Sequence, residues 1–191
     1  MRRVLERAAV TDRVKIEDVL SAFMDTTLRS LPISMGFQQA DRWTICVYRA
    51  SLNPQTDRYD LICVAHNRAI KCNASEARPW SEGIGVSGIS YSNRSEIIVP
   101  NLQSASLGSM FNLAAGARDY DDERYRSIVS VPVKVDGQDR PWGVVVATSD
   151  RVDHFTPDDE TGLKTTEPVR SLAGMVALAA AMCDRSHDHA Y

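Results

Sequence analysis

Apolar and polar positions alternate most regularly between Arg126 and Ser149, in the run RSIVSVPVKVDGQDRPWGVVVATS. Val129, Val131, Val133 and Val135 share one parity, and Ile128, Ser130, Pro132 and Lys134 share the other. After a polar loop, Trp142, Val144, Val146 and Thr148 alternate with Gly143, Val145, Ala147 and Ser149. Period-two alternation rich in valine, interrupted by Asp136-Gly137, predicts an antiparallel hairpin. Both faces of each strand are largely apolar, so this ribbon is expected in mid-sheet with a layer packed on each side.

The same reading gives the elements around it. Trp43 to Arg49 and Tyr59 to Ala65 are alternating runs separated by turn chemistry at Pro54 and Asp57, a second hairpin. His66 to Trp80 is polar and irregular. Gly83, Gly85 and Gly88 then allow a turn into a short helix through Tyr91, and Glu96 to Pro100 is a short strand. Asn101 to Glu123 is a long mixed segment with an acidic end, and connections of that length are usually functional or partly helical.

Helices are expected at both ends. Val4, Leu5, Ala8, Ile16, Val19, Leu20, Phe23, Thr27 and Leu31 recur at helical spacing. Thr11 and Asp12 would cap a second helix, which leaves one long helix or two shorter ones open over residues 2–31. Pro32 is expected to end it. Towards the C-terminus, Thr156, Pro157 and the carboxylates of Asp158, Asp159 and Glu160 form a helix start. Val169, Leu172, Ala173, Val176, Ala180 and Cys183 continue a helical stripe, with Pro168 expected to kink or break the helix at Glu167. Residues 184–191 are expected to fray as a flexible tail. Strands flanked by helices predict an α+β fold on a mostly antiparallel sheet.

Composition narrows the function classes. The chain has 191 residues, 43% hydrophobic and 25% charged, enough for one core without a disulfide or metal staple. A net charge of −3 and scattered Lys and Arg argue against a nucleic-acid partner. The four cysteines, Cys46, Cys63, Cys72 and Cys183, form no CxxC pair, which predicts free thiols in a reducing, cytoplasmic setting. Cys46 and Cys63 lie in apolar runs, where cysteine behaves as a small hydrophobe. No run reaches the ~18 apolar residues of a membrane span, so membrane attachment would need a segment outside this sequence.

Five pieces in order carry a family resemblance: GIGVSG (83–88), EIIVPNL (96–102), RYRSIVSVPVKVDG (124–137), WGVVVATS (142–149) and FTPDDE (155–160). Together they resemble a GAF domain, a small-molecule-sensing module of phosphodiesterases, phytochromes and signalling kinases. The resemblance implies a GAF-like, PAS-like central antiparallel sheet of five to six strands, with N- and C-terminal helices on one face. A ligand pocket on the other face would lie under residues 80–93 and 101–125. It divides the chain into N-terminal helix or helices (1–31), a GAF-like domain (32–183) and the tail (184–191).

Particular chemistries follow less well. Gly83, Gly85 and Gly88 have G-x-G-x-x-G spacing but do not follow a predicted strand directly, and no acidic residue about twenty positions on closes a βαβ unit. Some members of the family reduce free methionine sulfoxide, with a motif similar to a GVCG turn. Here Ser87 stands where that thiol would be, and a hydroxyl performs no thiolate redox chemistry. Cyclic-nucleotide-binding members resemble an Asn-Lys pair followed by Phe-x-x-x-Asp-Glu. Phe155 to Glu160 meets the second half, while Ser149-Asp150-Arg151 replaces the first. No Cys-His dipeptide is present for a covalent bilin, and His187 and His189 in a tail make a poor metal site. No catalytic residue, metal or cofactor is assigned.

A non-covalent pocket remains. Trp80, Ile84, Val86, Ile89, Phe111 and Tyr120 are candidates to line it, with polar contacts from Ser87, Asn101, Arg126, Ser127, Ser130 and Thr148. Core packing accounts for each aromatic equally well. The expected function is therefore a non-enzymatic regulatory domain that binds an unidentified small molecule and relays through terminal helices, as a homodimer. The alternative is a ligand-free dimerisation module of the same fold, with the reductase and the cyclic-nucleotide binder behind it.

Overall fold

The computed structural model describes residues 15–70, 77–104, 121–157 and 165–188. Its elements, in chain order, are α1 (Ile16–Thr26), α2 (Ser30–Ser34), β1 (Trp43–Asn53), β2 (Arg58–Arg68), β3 (Trp80–Ser81), α3 (Gly85–Asn93), β4 (Ile97–Val99), α4 (Asp121–Arg124), β5 (Ser127–Val133), β6 (Gly143–Ser149) and α5 (Glu167–Asp188). The strands form one six-stranded sheet in the order β3-β2-β1-β6-β5-β4. Every pairing is antiparallel. The valine ribbon β5–β6 lies inside the sheet, with β4 on one side and β1 on the other, and all seven residues of each strand are buried.

Strand parity separates two cores. Val129, Val131, Val133, Val145 and Ala147 face the terminal helices, where Ile16, Leu20 and Met24 of α1 and Val169, Leu172, Val176 and Ala180 of α5 close over them. Cys46, Tyr48, Ile128, Val144 and Val146 face the other way, against Val86 and Tyr91 of α3. At ~25 cal/mol per Å² of apolar surface, a ribbon buried on both faces is a main source of stability.

Several local expectations are corrected. The first helix ends at Thr26, and Pro32 sits inside the first turn of α2, where a backbone N–H is not needed for the helix ladder. Residues 156 and 157 are not helical, and α5 begins at Glu167. Pro168 therefore stands in a first turn rather than kinking a helix, while the Thr166 carbonyl accepts the N–H groups of Val169 and Arg170 at 3.0 and 3.1 Å. The same helix is assigned through Asp188. β1 and β2 are each longer than expected, and β3 is a short edge strand that starts at the last residue of the stretch read as irregular. The stripes of the terminal helices are covered by the chain's own sheet; the exposed apolar residues of α5 are Met175, Leu178 and Met182. Residues 2–14, most of the 101–123 segment, Cys72 and the Asp158 to Glu160 carboxylates lie outside the described residues.

Candidate functional site

The face away from the terminal helices is built in rows across the sheet. One row runs Arg68–Thr44–Thr148–Ile128–Val99, and the next runs His66–Cys46–Val146–Ser130–Ile97. Such rows arise because directly paired residues point to the same side of a sheet. Sequence parity therefore places polar side chains from four strands on one surface.

Helix α3 roofs part of this face. Gly83 and Gly85 have φ of +79° and +66°, which explains two glycines of the GIGVSG run as turn-formers. Gly88 is required by proximity: a Cβ there would meet the Ser81 carbonyl oxygen at 2.1 Å. The three glycines thus seat α3 against β3. Ser90 Oγ then lies 2.9 Å from the Ser95 carbonyl oxygen and 3.2 Å from that of Ser130, and its one hydrogen links α3 to β5.

At one end of the face an open cavity of about 60 Å³ is lined by Arg42, Trp43, Thr44, Arg68, Ala69, Ile70, Arg124 and Tyr125. Among the described residues, three arginines and no acidic residue line it. Near it, several buried polar atoms have no hydrogen-bond partner among the described residues: Thr148 Oγ1, Ser130 Oγ, His66 Nε2 and Arg126 Nε. Thr148 is 8% exposed and directly opposite Thr44, a cavity residue. Buried polar atoms without partners are rare, and each needs an explanation such as water or a ligand.

Residues singled out in the sequence separate into groups. Ser130 and Thr148 lie on this face. Trp80 is paired with Leu61 at the sheet edge and packs against the same core; Ile84 precedes α3, and Ser87 is buried within it. Arg126 directly follows the cavity residues Arg124 and Tyr125. Ser127 is a correction: its parity is that of Val129, and its Oγ accepts the Phe155 N–H at 2.9 Å on the helix side. The Asn101 side-chain oxygen accepts the Gln103 N–H at 3.0 Å, so that group serves a local turn. Phe111 and Tyr120 lie outside the described residues.

Sequence reasoning missed Arg42, Thr44, His66, Arg68 and Arg124. Thr44 and Arg68 share the parity of Cys46 and His66, the one signal that placed them here, and it needs the β1–β2 register to be read. Among the described residues no group of three or more His, Cys, Asp or Glu is placed to hold a metal ion, and no helix is long and apolar enough to cross a membrane.

Residues 19–180 match a family model described as GAF domain. Among solved structures, the chain is similar to the type II free methionine-R-sulfoxide reductase of Thermoplasma acidophilum (14% identity, TM-score 0.58), with 88% of this chain and 96% of that one covered. It is also similar to the GAF domain of the Acinetobacter phosphoenolpyruvate-protein phosphotransferase (16% identity, TM-score 0.57), with 96% and 92% covered. The free methionine-R-sulfoxide reductase of Neisseria meningitidis gives 17% identity and a TM-score of 0.56, with 97% and 90% covered. At these identities the likeness speaks to fold alone. No curated protein matches the sequence.

Proposed function

Because this chain belongs to the GAF domain family, we infer that it is a sensory, regulatory domain that binds a small anionic molecule on the α3 side of its sheet. The observation that carries this reading is the arginine-lined cavity beside Thr148, whose buried hydroxyl has no partner among the described residues. Arginine forks suit carboxylate or phosphate, and a volume of about 60 Å³ suits such a group rather than a whole nucleotide. Binding would regulate an output only if the ligand favours one arrangement of the terminal helices over another. A catalytic reading by analogy with the reductases has weaker support, because Ser87 occupies the position of the thiol in the similar motif.

The test is a melting series with small carboxylates, amino acids, phosphates and cyclic nucleotides. A ligand at ~100 times its Kd adds ~2.7 kcal/mol, about 5–10 °C for a chain of this size. Loss of that shift in Arg42→Gln with the apo melting temperature unchanged would tie it to the cavity. If no anion shifts the melt, the ligand-free dimerisation module is the better reading. That module is favoured by one observation, the exposed stripe Met175, Leu178 and Met182 on α5.

A further inference from the structure

Behind the cavity wall, β6 and the residue after it carry two buried oxygen acceptors. Thr148 is directly opposite the cavity residue Thr44. Two positions further on, the Asp150 N–H meets the carbonyl oxygen of Arg42, another cavity residue, at 3.0 Å. That bond extends the β1–β6 ladder one pair beyond Trp43–Ser149, so Asp150 stands opposite Arg42 and shares the parity of Thr148. Thr148 Oγ1 and Asp150 Oδ1 are both buried, with no hydrogen-bond partner among the described residues.

An aspartate directly opposite an arginine is well placed for an ion pair, because Cβ atoms so related are about 5 Å apart. Here the pair is not made. Among the described residues no ion pair joins Asp150 to Arg42, and the neighbouring Arg151 is engaged by Asp41 at 3.2 Å and by His154 Nδ1 at 2.6 Å. Arg126, whose N–H meets the Ser149 carbonyl oxygen at 2.8 Å, keeps its own Nε buried and unpartnered among the described residues. A carboxylate oxygen taken out of water without a donor is costlier than a neutral group in the same place. The cavity wall therefore presents cations from Arg42, while the row behind it presents acceptors from Asp150 and Thr148.

We propose that the molecule bound at this cavity is an α-amino acid, its carboxylate held by Arg42 and its ammonium by Asp150 and Thr148. The proposal rests on the anion-binding reading of the same cavity and narrows it. An ammonium group has three N–H donors, and the two buried oxygens accept two of them. In an α-amino acid the opposite charges sit on one carbon, so the groups that recognise them must be neighbours, as directly opposed residues are. A simple carboxylate or a phosphate would instead bring uncompensated negative charge up to Asp150, which disfavours both. The cavity of about 60 Å³ accommodates the head group and is open, which leaves the amino-acid side chain in its mouth. Arg42 is exposed, so its guanidinium is able to swing aside as the ammonium enters.

The test uses the full chain. Calorimetric titration with the common L-amino acids identifies the tightest binder, which is then compared with its des-amino acid, its N-acetyl derivative and inorganic phosphate. The amino acid should bind at least about tenfold more tightly than any of these, the loss expected when a charged hydrogen-bond partner is removed. Asp150→Asn keeps the side-chain shape and should weaken the amino acid about tenfold while binding the des-amino acid no less tightly. Arg42→Gln should weaken both. The comparison between ligands is made on the parent chain and needs no variant to fold. A des-amino acid or phosphate bound as tightly as the amino acid would overturn the proposal and leave the anion site standing. Equal weakening of both ligands by Asp150→Asn would overturn it in the same way. If none of these molecules binds, the proposal falls together with the anion reading.

Discussion

Arg170 of α5 and Glu96, which immediately precedes β4, meet as a two-pronged ion pair. Nε lies 2.6 Å from Oε2 and Nη2 lies 2.7 Å from Oε1, with side-chain exposures of 29% and 25%. The contact fastens the C-terminal helix to the edge strand of the sheet, 74 residues away in sequence. Because the guanidinium fork matches the carboxylate, Arg170→Lys should lose one of the two bonds while keeping the charge. We expect a loss of about 1 kcal/mol, or about 2–4 °C in Tm, for Arg170→Lys and for Glu96→Gln. A double-mutant cycle checks the coupling; additive losses would mean that the two side chains do not act as a pair.

That contact is not legible in the sequence, and the reason is general. Alternation at Val129–Val135 and Val144–Val146 reveals the ribbon because each strand's own neighbours carry the signal. The glycines 83, 85 and 88 reveal the turn for the same reason. Pairings such as Arg170 with Glu96, Arg68 with Thr44 or Cys46 with His66 depend on register between distant segments, which periodicity within one segment leaves undetermined. Ser127 shows the same limit from the other side. Its residue type groups it with Ser130 as a pocket residue, although an odd difference in position sends the two to opposite faces. Helix boundaries are misread where proline occurs, because Pro32 and Pro168 are compatible with a first turn as well as with an end.

His154 makes stability depend on pH. Its ring stacks on Phe37 with centroids 4.3 Å apart, and its Nδ1 lies 2.6 Å from Arg151 Nη2. The arginine in turn pairs with Asp41 at 3.2 Å. Burial, reinforced by the Arg151 charge, lowers His154 from 6.5 to about 4. A histidine kept neutral in the fold but titrating near 6.5 when unfolded makes the unfolded state bind the extra proton first. Its contribution is therefore complete above about pH 6.5 and falls as pH drops towards 4. Melting temperatures of the parent chain and His154→Gln between pH 4 and 8 should differ in slope only in that window. Identical slopes would exclude His154 as the titrating group.

The terminal helices separate core residues from a surface available for pairing. Leu20 is 4% exposed and belongs to the core, whereas Met175, Leu178 and Met182 are 40%, 63% and 50% exposed at helical spacing on α5. If copies of the chain pair through α5, Leu178→Glu should give a monomer with a nearly unchanged Tm. Leu20→Glu should instead unfold the domain, because it buries a charge without a partner. Sedimentation with circular dichroism distinguishes the two. A dimer that survives Leu178→Glu would move the interface elsewhere.

Thr148 offers the sharpest separation of stability from function. Its hydroxyl is buried on the α3 side of the sheet with no hydrogen-bond partner among the described residues, opposite Thr44 at the cavity wall. Leaving a buried hydroxyl unpaired costs about 1–3 kcal/mol, a penalty that a ligand or a bridging water would relieve. Thr148→Val keeps the branched shape that suits β6 and removes the polar atom. The apo domain should melt at an equal or higher temperature, while the shift produced by an anionic ligand should shrink. Ser149, on the opposite face of the same strand, supplies a contrasting site, because its hydroxyl accepts the Arg151 N–H at 3.1 Å. Ser149→Ala should therefore destabilise the domain without reducing the ligand-induced shift. A fall in apo Tm for Thr148→Val, with the ligand response intact, would mean that the hydroxyl serves the fold rather than the site.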